Sequence, residues 1–176
     1  MTCIIRKLKM EDAEAWVTLR REALEAHPLA FGMSVPEDPA ELMESFCVRV
    51  ISQKESEVFG AFLGETLAGI VGIVRNAGKK ERHKALIWGM YVASASRRAG
   101  LGEKLIRAAI EQSRSWQGVR QVHLTVSEAA ADARKLYERI GFQQWGREPR
   151  ALFWQGRYVD EAHMVFYIDD GQHQRE

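Results

Sequence analysis

The sequence predicts an α/β fold, and three features of the chain support this prediction. Apolar stretches typical of strands alternate with stretches whose apolar residues recur at helical spacing, in the order βααβββαβαββ. The chain has 176 residues, which is the size of one ordinary domain with a sizeable core. A strand, a glycine-containing loop and an amphipathic helix follow one another between residues 85 and 110, an arrangement that suits the binding of an anion.

The first half of the chain is expected to contain three strands and two helices. The first helix ends at His27 because the residue before Pro28 avoids helical angles. The second begins with Asp38 as its N-cap and Pro39 at its first position. The predicted elements are a strand at residues 3–8, a helix at 11–26, a helix from 38 to about 51, and a hairpin with strands at 58–63 and 67–74. The charged connector that follows, at 75–84, is expected to be mobile.

The second half alternates strands with amphipathic helices. The predicted elements are a strand at 85–92, a helix from about 101, a strand at 121–126, a helix from about 129 to Gly141, and closing strands at 143–150 and 161–168 separated by a loop at 151–160. The helix from 101 has a buried stripe of Leu101, Leu105, Ile106, Ala109 and Ile110. We expect residues 1–170 to form a single domain, followed by a polar tail at 171–176.

Composition excludes several classes of function. The formal net charge is +1, so no nucleic-acid partner is expected. Cys3 and Cys47 lie far apart and the five histidines have no metal-ligand spacing, so neither a disulfide framework nor a metal site is expected. No apolar run approaches the ~20 residues of a membrane span, and the N-terminus lacks a signal-peptide pattern. We therefore expect a cytoplasmic protein with no membrane partner.

The loop before the helix at 101 has the features of an anion cradle. Gly100 and Gly102 let backbone N–H groups approach a phosphate closely, and the first turn of the helix leaves its N–H groups unpaired. Arg97 and Arg98 add forked donors and permanent charge. The loop is not a Walker loop, which needs Lys and Ser or Thr after its last Gly. It is not a Rossmann fingerprint either, because Leu105 stands where that pattern has a third Gly. The loop therefore predicts a ligand with a pyrophosphate. It does not predict a kinase, because the Lys and Ser or Thr of a Walker loop are missing.

Two motifs in this half of the chain resemble those of the GNAT superfamily of N-acetyltransferases. The spacing Arg-x-x-Gly-x-Gly, formed here by residues 97–102, resembles the coenzyme A loop of that family. A second motif, Ala-x-x-Leu-Tyr-x-x-x-Gly-Phe, is matched by Ala133, Leu136, Tyr137, Gly141 and Phe142. One position departs from the family pattern. Ala130 stands where relatives often have an Asn that binds the coenzyme, so that contact is expected to be weaker.

The resemblance implies a fold, a reaction and a set of site residues. The fold is a mixed, mostly antiparallel sheet of about seven strands flanked by about four helices. The reaction moves an acetyl group from acetyl-CoA, the cosubstrate, to a primary amine, without a metal. The strands at 85–92 and 121–126 are expected to splay apart and admit the pantetheine arm. The implied coenzyme-binding residues are Met90, Tyr91, Val92, Arg97, Arg98, Ala99, Gly100, Leu101, Gly102, Ala130 and Ala133.

Tyr137 is the general acid that the resemblance implies, protonating the departing thiolate. By its spacing alone, Tyr137 is also consistent with an ordinary core aromatic residue.

The general base stays open, because the strand at 85–92 contains no acidic residue. Glu81 and His83 lie just upstream of that strand, and His123 lies on the next one. Glu128 and Asp132 lie near the start of the following helix, where acidic residues are common for dipole reasons alone. A chain of water molecules without a dedicated base is equally compatible with the sequence.

The sequence does not decide whether the acceptor is a small-molecule amine or an amine of a peptide or protein. It also leaves open whether the donor is acetyl-CoA or a longer acyl-CoA. The resemblance places acceptor contacts on the first two helices and the closing loop. The candidates are Phe31, Glu37, Asp38, Glu41, Trp154 and Tyr158. The acidic members either hold a cationic amine or simply occupy an exposed first helical turn. A non-catalytic acyl-CoA-binding sensor is the alternative function, and a homodimer is left open.

Overall fold

The computed structural model describes residues 3–36, 40–52 and 54–168. The predicted N-cap at Asp38, its neighbours Glu37 and Pro39, and the polar tail at 171–176 lie outside the described residues. In chain order the elements are β1 (Cys3–Lys7), α1 (Ala13–Ala26), α2 (Ala40–Cys47), β2 (Ser56–Leu63), β3 (Thr66–Arg75), β4 (Lys84–Val92), α3 (Leu101–Arg114), β5 (Gln121–Ser127), α4 (Ala131–Ile140), β6 (Gln143–Trp154) and β7 (Arg157–Tyr167).

The seven strands form one sheet in the order β1-β2-β3-β4-β5-β7-β6. Neighbouring strands are antiparallel except β4 and β5, which run parallel. Helices α1 and α2 belong to one apolar cluster on the sheet, and α3 and α4 belong to the other. Because helices cover both faces, β2 and β3 read as nearly continuous apolar runs. The predicted mixed, mostly antiparallel sheet with four flanking helices is confirmed.

The second predicted helix is expected to reach about residue 51, and its helical segment does so, but only its first part is α-helical. The α-helix stops at Cys47, and Val48–Ser52 continue as a π-helical segment. Such segments are often found at functional sites. Apolar periodicity does not distinguish the two helix types over so few residues.

The predicted loop at 151–160 is wrong, because β6 and β7 continue almost to the tip of a long hairpin. The tip is formed by Gln155 and Gly156, whose φ angles are 48° and 78°. Two positive φ angles at a two-residue turn match the twist of the flanking strands. Phe153 and Tyr158 face each other across the strands with ring centroids 4.6 Å apart. Such cross-strand aromatic pairs stabilise a hairpin.

The connector predicted to be mobile is tied to its surroundings by one arginine. Arg75 forms an ion pair with Glu55, and its side chain is 9% exposed. Its guanidinium also donates to the carbonyl oxygens of Arg82 and Gln117, at 2.7 and 2.8 Å. Glu55 and Gln117 are distant from Arg75 in the sequence, so no local pattern predicts these contacts.

A buried carboxylate near the N-terminus gives a stability prediction. Asp12 accepts both Nη groups of Arg6 at 2.7 Å and the Lys9 N–H at 2.8 Å. Because Arg6 is partly exposed, we expect Asp12→Ala to lower the free energy of unfolding at pH 7 by only about 1–2 kcal/mol. The hydrogen bond from Arg6, chiefly, lowers the pKa of Asp12 below its ordinary value.

The pH dependence of that loss follows from the sign of the shift. A carboxylate with a lowered pKa stabilises the fold above its unfolded pKa, and the effect disappears as pH falls through the folded pKa. Urea unfolding of both proteins should therefore show the full difference at pH 7 and a smaller one below about pH 4. An equal difference at pH 7 and pH 3 would contradict this account.

Candidate active site

The parallel strands β4 and β5 are paired only at their beginnings. Residues 84–86 align with residues 121–123, and the register ends there. Beyond that point β4 contains a bulge, since Gly89 and Met90 together stand opposite Val71 of β3. Gly89 has a φ of 62°, a value that glycine adopts far more readily than other residues do. A bulge bends its strand. The facing edges of β4 and β5 therefore diverge, as the resemblance implied.

A cleft opens where the two strands part. It is bordered by the second half of β4, the second half of β5, the start of α4 and the segment after α1. The lining residues are Ala30, Phe31, Ile87, Trp88, Gly89, Met90, Leu124, Thr125, Val126, Ala130, Ala133 and Tyr137. The structure thus brings together four of the predicted site residues, Met90, Ala130, Ala133 and Tyr137, and one acceptor candidate, Phe31.

Tyr137 is held by the helix on which it lies. It follows Ala133 by four residues, so both side chains lie on the same face of α4 and line the cleft. Gly141 ends the helix with a φ of 117°, and the N–H groups of Gly141 and Phe142 donate to the carbonyl of Tyr137. The Tyr137 side chain packs edge-on against Phe142 at 5.9 Å. Its hydroxyl makes no hydrogen bond to the described residues.

Burial has a direct consequence for the chemistry of Tyr137. The residue is only 6% exposed, and desolvation raises the pKa of its hydroxyl well above the ordinary value. The phenol therefore keeps its proton throughout the physiological pH range. It is available as a proton donor to an atom that enters the cleft.

The N-terminus of α3 has the features expected of a phosphate site. Gly100 is its N-cap with a φ of 73°, and no side chain caps the helix. The N–H groups of Leu101, Gly102 and Glu103 donate to no acceptor in the described part of the chain. A Cβ on Gly100 would meet nothing within 4 Å, so the approach from solvent is open. These donors, the helix dipole and the open approach fit a pyrophosphate.

Gly102 contributes in a different way, because a side chain there would have to displace the ends of two neighbouring side chains. A Cβ there would lie 2.8 Å from Met90 Cε and 3.0 Å from Leu136 Cδ2. Gly102 thus allows the start of α3 to pack closely against β4 and α4. The two glycines of the motif have separate tasks, since one supplies a left-handed conformation and the other supplies space.

The remaining loop residues lie around this terminus. Arg98 and Ala99 are exposed, and Arg98 has a φ of 65°. The Arg97 guanidinium lies 2.7 Å from Nε2 of His27 and 5.7 Å from the centre of the Tyr91 ring. Its Nε donates to the Val92 carbonyl at 3.3 Å. Arg97 therefore already has protein partners at the end of α1, and its role toward phosphate stays a prediction.

Tyr91 points away from the cleft. Its ring is buried in the cluster formed with α1 and α2, and its hydroxyl donates to Glu22 Oε1 at 2.9 Å. Any contact of Tyr91 with the coenzyme would therefore come from its backbone.

The candidate bases do not line the cleft. Glu81 and His83 lie in the connector before β4. His123 lies where β4 and β5 are still paired, opposite Leu86, and its Nε2 contacts Oε1 of Gln121 at 3.0 Å. Burial, followed by the charges of Lys84 and His83, lowers the pKa of His123, so its ring is neutral at pH 7.

The two acidic candidates near α4 do not line the cleft either. Glu128 forms an ion pair with Arg147 at 2.8 Å, and Asp132 is exposed in the first turn of α4. The structure brings no predicted base beside Tyr137. The choice between a distant base and water stays open.

The acceptor candidates are dispersed. Glu41 is exposed at the start of α2, whereas Trp154 and Tyr158 lie exposed near the tip of the β6–β7 hairpin. Glu37 and Asp38 lie outside the described residues. Of the candidates that can be placed, only Phe31 borders the cleft.

Sequence reasoning missed two arginines beside the cleft. Arg20 of α1 and Arg49 of the π-helical segment lie against the lining residues Phe31 and Trp88, respectively. A signal for the first was present, because Arg20 follows Trp16 by four residues and therefore falls in the apolar stripe of α1. A charged residue at such a position is seldom buried without a reason. Arg49 gave no comparable signal.

The described residues contain no group of three or more His, Cys, Asp or Glu side chains able to hold a metal ion. No helix in the described ranges is both long and apolar enough to cross a membrane.

Comparison with known proteins identifies a family for this chain. The model of the acetyltransferase (GNAT) family matches residues 16–142. A mycothiol acetyltransferase from Thermobispora bispora is 29% identical over 143 residues, 76% of this chain and 44% of that protein. The chain thus spans less than half the length of this curated relative.

Solved structures agree with that match. A GNAT-family acetyltransferase from Streptococcus pneumoniae has a TM-score of 0.81 and 27% identity, covering 95% of this chain and 100% of that one. A GNAT-superfamily phosphinothricin acetyltransferase from Sinorhizobium meliloti, in complex with acetyl-CoA, has a TM-score of 0.82 and 20% identity, covering 100% and 95%. The diverging strands, the uncapped α3 terminus and the matched family model lead to one conclusion: this chain belongs to the GNAT family of acetyltransferases.

Proposed function

We propose that the chain transfers an acetyl group from acetyl-CoA to a primary amine of a small molecule or peptide, with Tyr137 as the general acid. The observation that best supports this proposal is the position of Tyr137. It is a buried, protonated phenol that lines the cleft between the diverging strands. It also lies on α4, whose Leu136 packs against Gly102 at the start of α3, where the phosphates are proposed to bind. Family membership supplies the expectation for the acyl donor.

The proposed reaction is a direct attack. The amine nitrogen bonds to the thioester carbonyl carbon, the carbon–sulfur bond breaks, and its electron pair leaves on sulfur. Tyr137 gives its proton to that sulfur and regains one from solvent. The attacking amine must be neutral, and its surplus proton passes to a base or to water. The products are an N-acetyl amine and a free thiol.

Burial does not prevent Tyr137 from acting as the acid. The ordinary pKa of a phenol, near ~10, already lies above that of a thiol, near ~8.5. Desolvation raises both values, because each group is charged when deprotonated. A thiolate released in the same apolar cleft therefore becomes a stronger base as Tyr137 becomes a weaker acid. Proton transfer within the cleft remains feasible.

The backbone of β4 supplies the other half of the proposed machinery. From Ile87 to Met90 its edge toward β5 has no strand partner in the described chain. Free N–H and C=O groups along a strand edge pair with extended ligands by strand addition. An N–H group placed there is also suited to polarise a thioester carbonyl.

Free-thiol release tests this function. The purified chain would be mixed with acetyl-CoA and a panel of amines, and thiol release would be followed with a chromogenic reagent. We expect saturable release that depends on at least one amine. A chain that acetyl-CoA stabilises against heat, but that releases no thiol with any amine, would contradict the proposal. That outcome would support the alternative of an acyl-CoA-binding sensor.

A further inference from the structure

A buried guanidinium lies at the end of the cleft formed by Phe31, Trp88 and Gly89, which we call the acceptor end. Arg20 is 6% exposed, and its Nη1 is fully buried without a hydrogen-bond partner. A Cβ built on Gly89 would lie 3.6 Å from that Nη1. The Cζ of Arg20 lies 4.7 Å from the centre of the Phe31 ring. The unpartnered donor therefore lies directly against two residues that line the cleft.

A second guanidinium lies at the same end. The Cζ of Arg49 is 4.0 Å above the ring of Trp88, and its Nε donates to Ser45 Oγ at 3.4 Å. Burial, followed by the charge of Arg49, lowers the pKa of Arg20 to about 10, so Arg20 is still a cation at pH 7. The Arg49 guanidinium, whose pKa is also lowered by burial, is likewise a cation. The two arginines therefore repel each other. No carboxylate among the described residues forms an ion pair with either.

Such an arrangement is unfavourable unless an anion completes it. Isolated charges are strongly disfavoured in a protein interior, and the penalty is recovered only by a well-placed partner with hydrogen bonds. A carboxylate fits a guanidinium with two parallel hydrogen bonds. Two cations around one anion would replace the repulsion by attraction. The partner must come from the cleft, because the free Nη1 of Arg20 lies next to Gly89, and its guanidinium lies against the Phe31 ring; both residues line the cleft.

We infer that the acceptor is an amine that also bears a carboxylate, and that Arg20 and Arg49 bind this carboxylate at the acceptor end of the cleft. This inference rests on the proposed function. The coenzyme's phosphates have their own site at the start of α3. A purely cationic amine would meet two positive charges here and would bind poorly. The exposed Glu41 does not offset them.

Matched acceptors test the substrate class. Each of several amino acids would be compared with its amide and with the amine that remains after removal of the carboxylate. We expect kcat/KM for the carboxylate-bearing member to exceed that of its partners by roughly 10²-fold, as for other buried charge pairs. Equal activity on all three members would overturn the inference while leaving the proposed acetyl transfer intact.

Variants test the two arginines. Arg20→Met replaces the guanidinium side chain with an apolar side chain that also fills the buried site. Because this removes the unpaired charge from the interior, we expect the variant to fold. It should reduce the carboxylate preference to severalfold or less and leave the thermal shift caused by acetyl-CoA unchanged. Arg49→Met should reduce the preference in the same direction. Arg114→Met, at the exposed end of α3, is the matched control and should retain the preference. A full preference in both Arg20→Met and Arg49→Met would overturn the inference.

A binding measurement keeps this test independent of turnover. Carboxylic acids that lack the amino group cannot be acetylated, but they contain the anion that the arginines are proposed to bind. In the presence of acetyl-CoA, such an acid should raise the melting temperature of the wild type and of Arg114→Met, but not of Arg20→Met. This readout remains available if no amine is acetylated. Failure of the proposed function and failure of the anion site are thus distinguishable. No shift in the wild type with any acid, together with no carboxylate preference, would overturn the inference.

Discussion

Tyr137→Phe is expected to lower turnover roughly 10²-fold, the lower end of what a positioned acid contributes. Only a hydroxyl is removed, and this hydroxyl makes no hydrogen bond to the described residues. The packing of the ring against Phe142 is retained. The fold and the affinity for acetyl-CoA should therefore be unchanged. Steady-state kinetics and thermal shifts measured on the same preparations check both statements.

The pH dependence of the rate gives a second readout of this residue. Because burial raises the pKa of Tyr137, its protonated form persists beyond the ordinary phenol value. The wild-type rate should thus show no loss attributable to this group below about pH 10. Tyr167→Phe, at the exposed end of β7, is the control and should keep wild-type turnover. A Tyr137→Phe variant that turns over as fast as the wild type would mean that water protonates the sulfur.

Gly100→Asp is expected to abolish the stabilisation that acetyl-CoA gives to the wild type. A ligand at 100 times its Kd stabilises a protein by about 2.7 kcal/mol, which is readily seen as a rise in melting temperature. Gly100 caps α3 at the predicted phosphate site, and there is open space where its side chain would be. A carboxylate there would place a negative charge among the N–H groups that are proposed to bind the pyrophosphate.

Gly100→Asn is the matched control for that charge. Asn and Asp have nearly the same size, and both tolerate the left-handed φ of this position better than most residues do. The two variants should therefore lose similar stability in the absence of ligand. The Asn variant should keep a larger part of the acetyl-CoA shift. Equal shifts in the wild type and both variants would refute the assignment of this loop.

Gly102→Asp should also abolish the shift, but it is a less specific test. Its Cβ would collide with Met90 and Leu136, so the variant combines a packing change with a charge change.

The order of elements, the buried stripe of α3 and both motifs were predictable, because each depends on residues that are near neighbours in the chain. The divergence of β4 and β5 was expected only from the family resemblance. Its physical cause is the bulge at Gly89, which a single glycine in an apolar run does not reveal by itself.

The features that the sequence did not predict depend on interactions between segments that are distant in the chain. Residues 151–160 were predicted to be a loop between the two closing strands, because the pairing of Phe153 with Tyr158 that extends both strands is not a local property. The contacts of Arg75 with Glu55 and Gln117 join segments that no periodicity relates. The environment of Arg20 likewise depends on where Phe31 and Gly89 lie in space.

The central claim is tested most directly by following the acetyl group itself. The wild type would be incubated with acetyl-CoA carrying a ¹³C-labelled carbonyl and with the best amine of the panel, and the products would be analysed by mass spectrometry and NMR. We predict that the label appears in an amide bond to the acceptor nitrogen, in equal amount to the free thiol, and roughly 10²-fold more slowly with Tyr137→Phe. Label found only in acetate, or only in intact acetyl-CoA, would contradict the account.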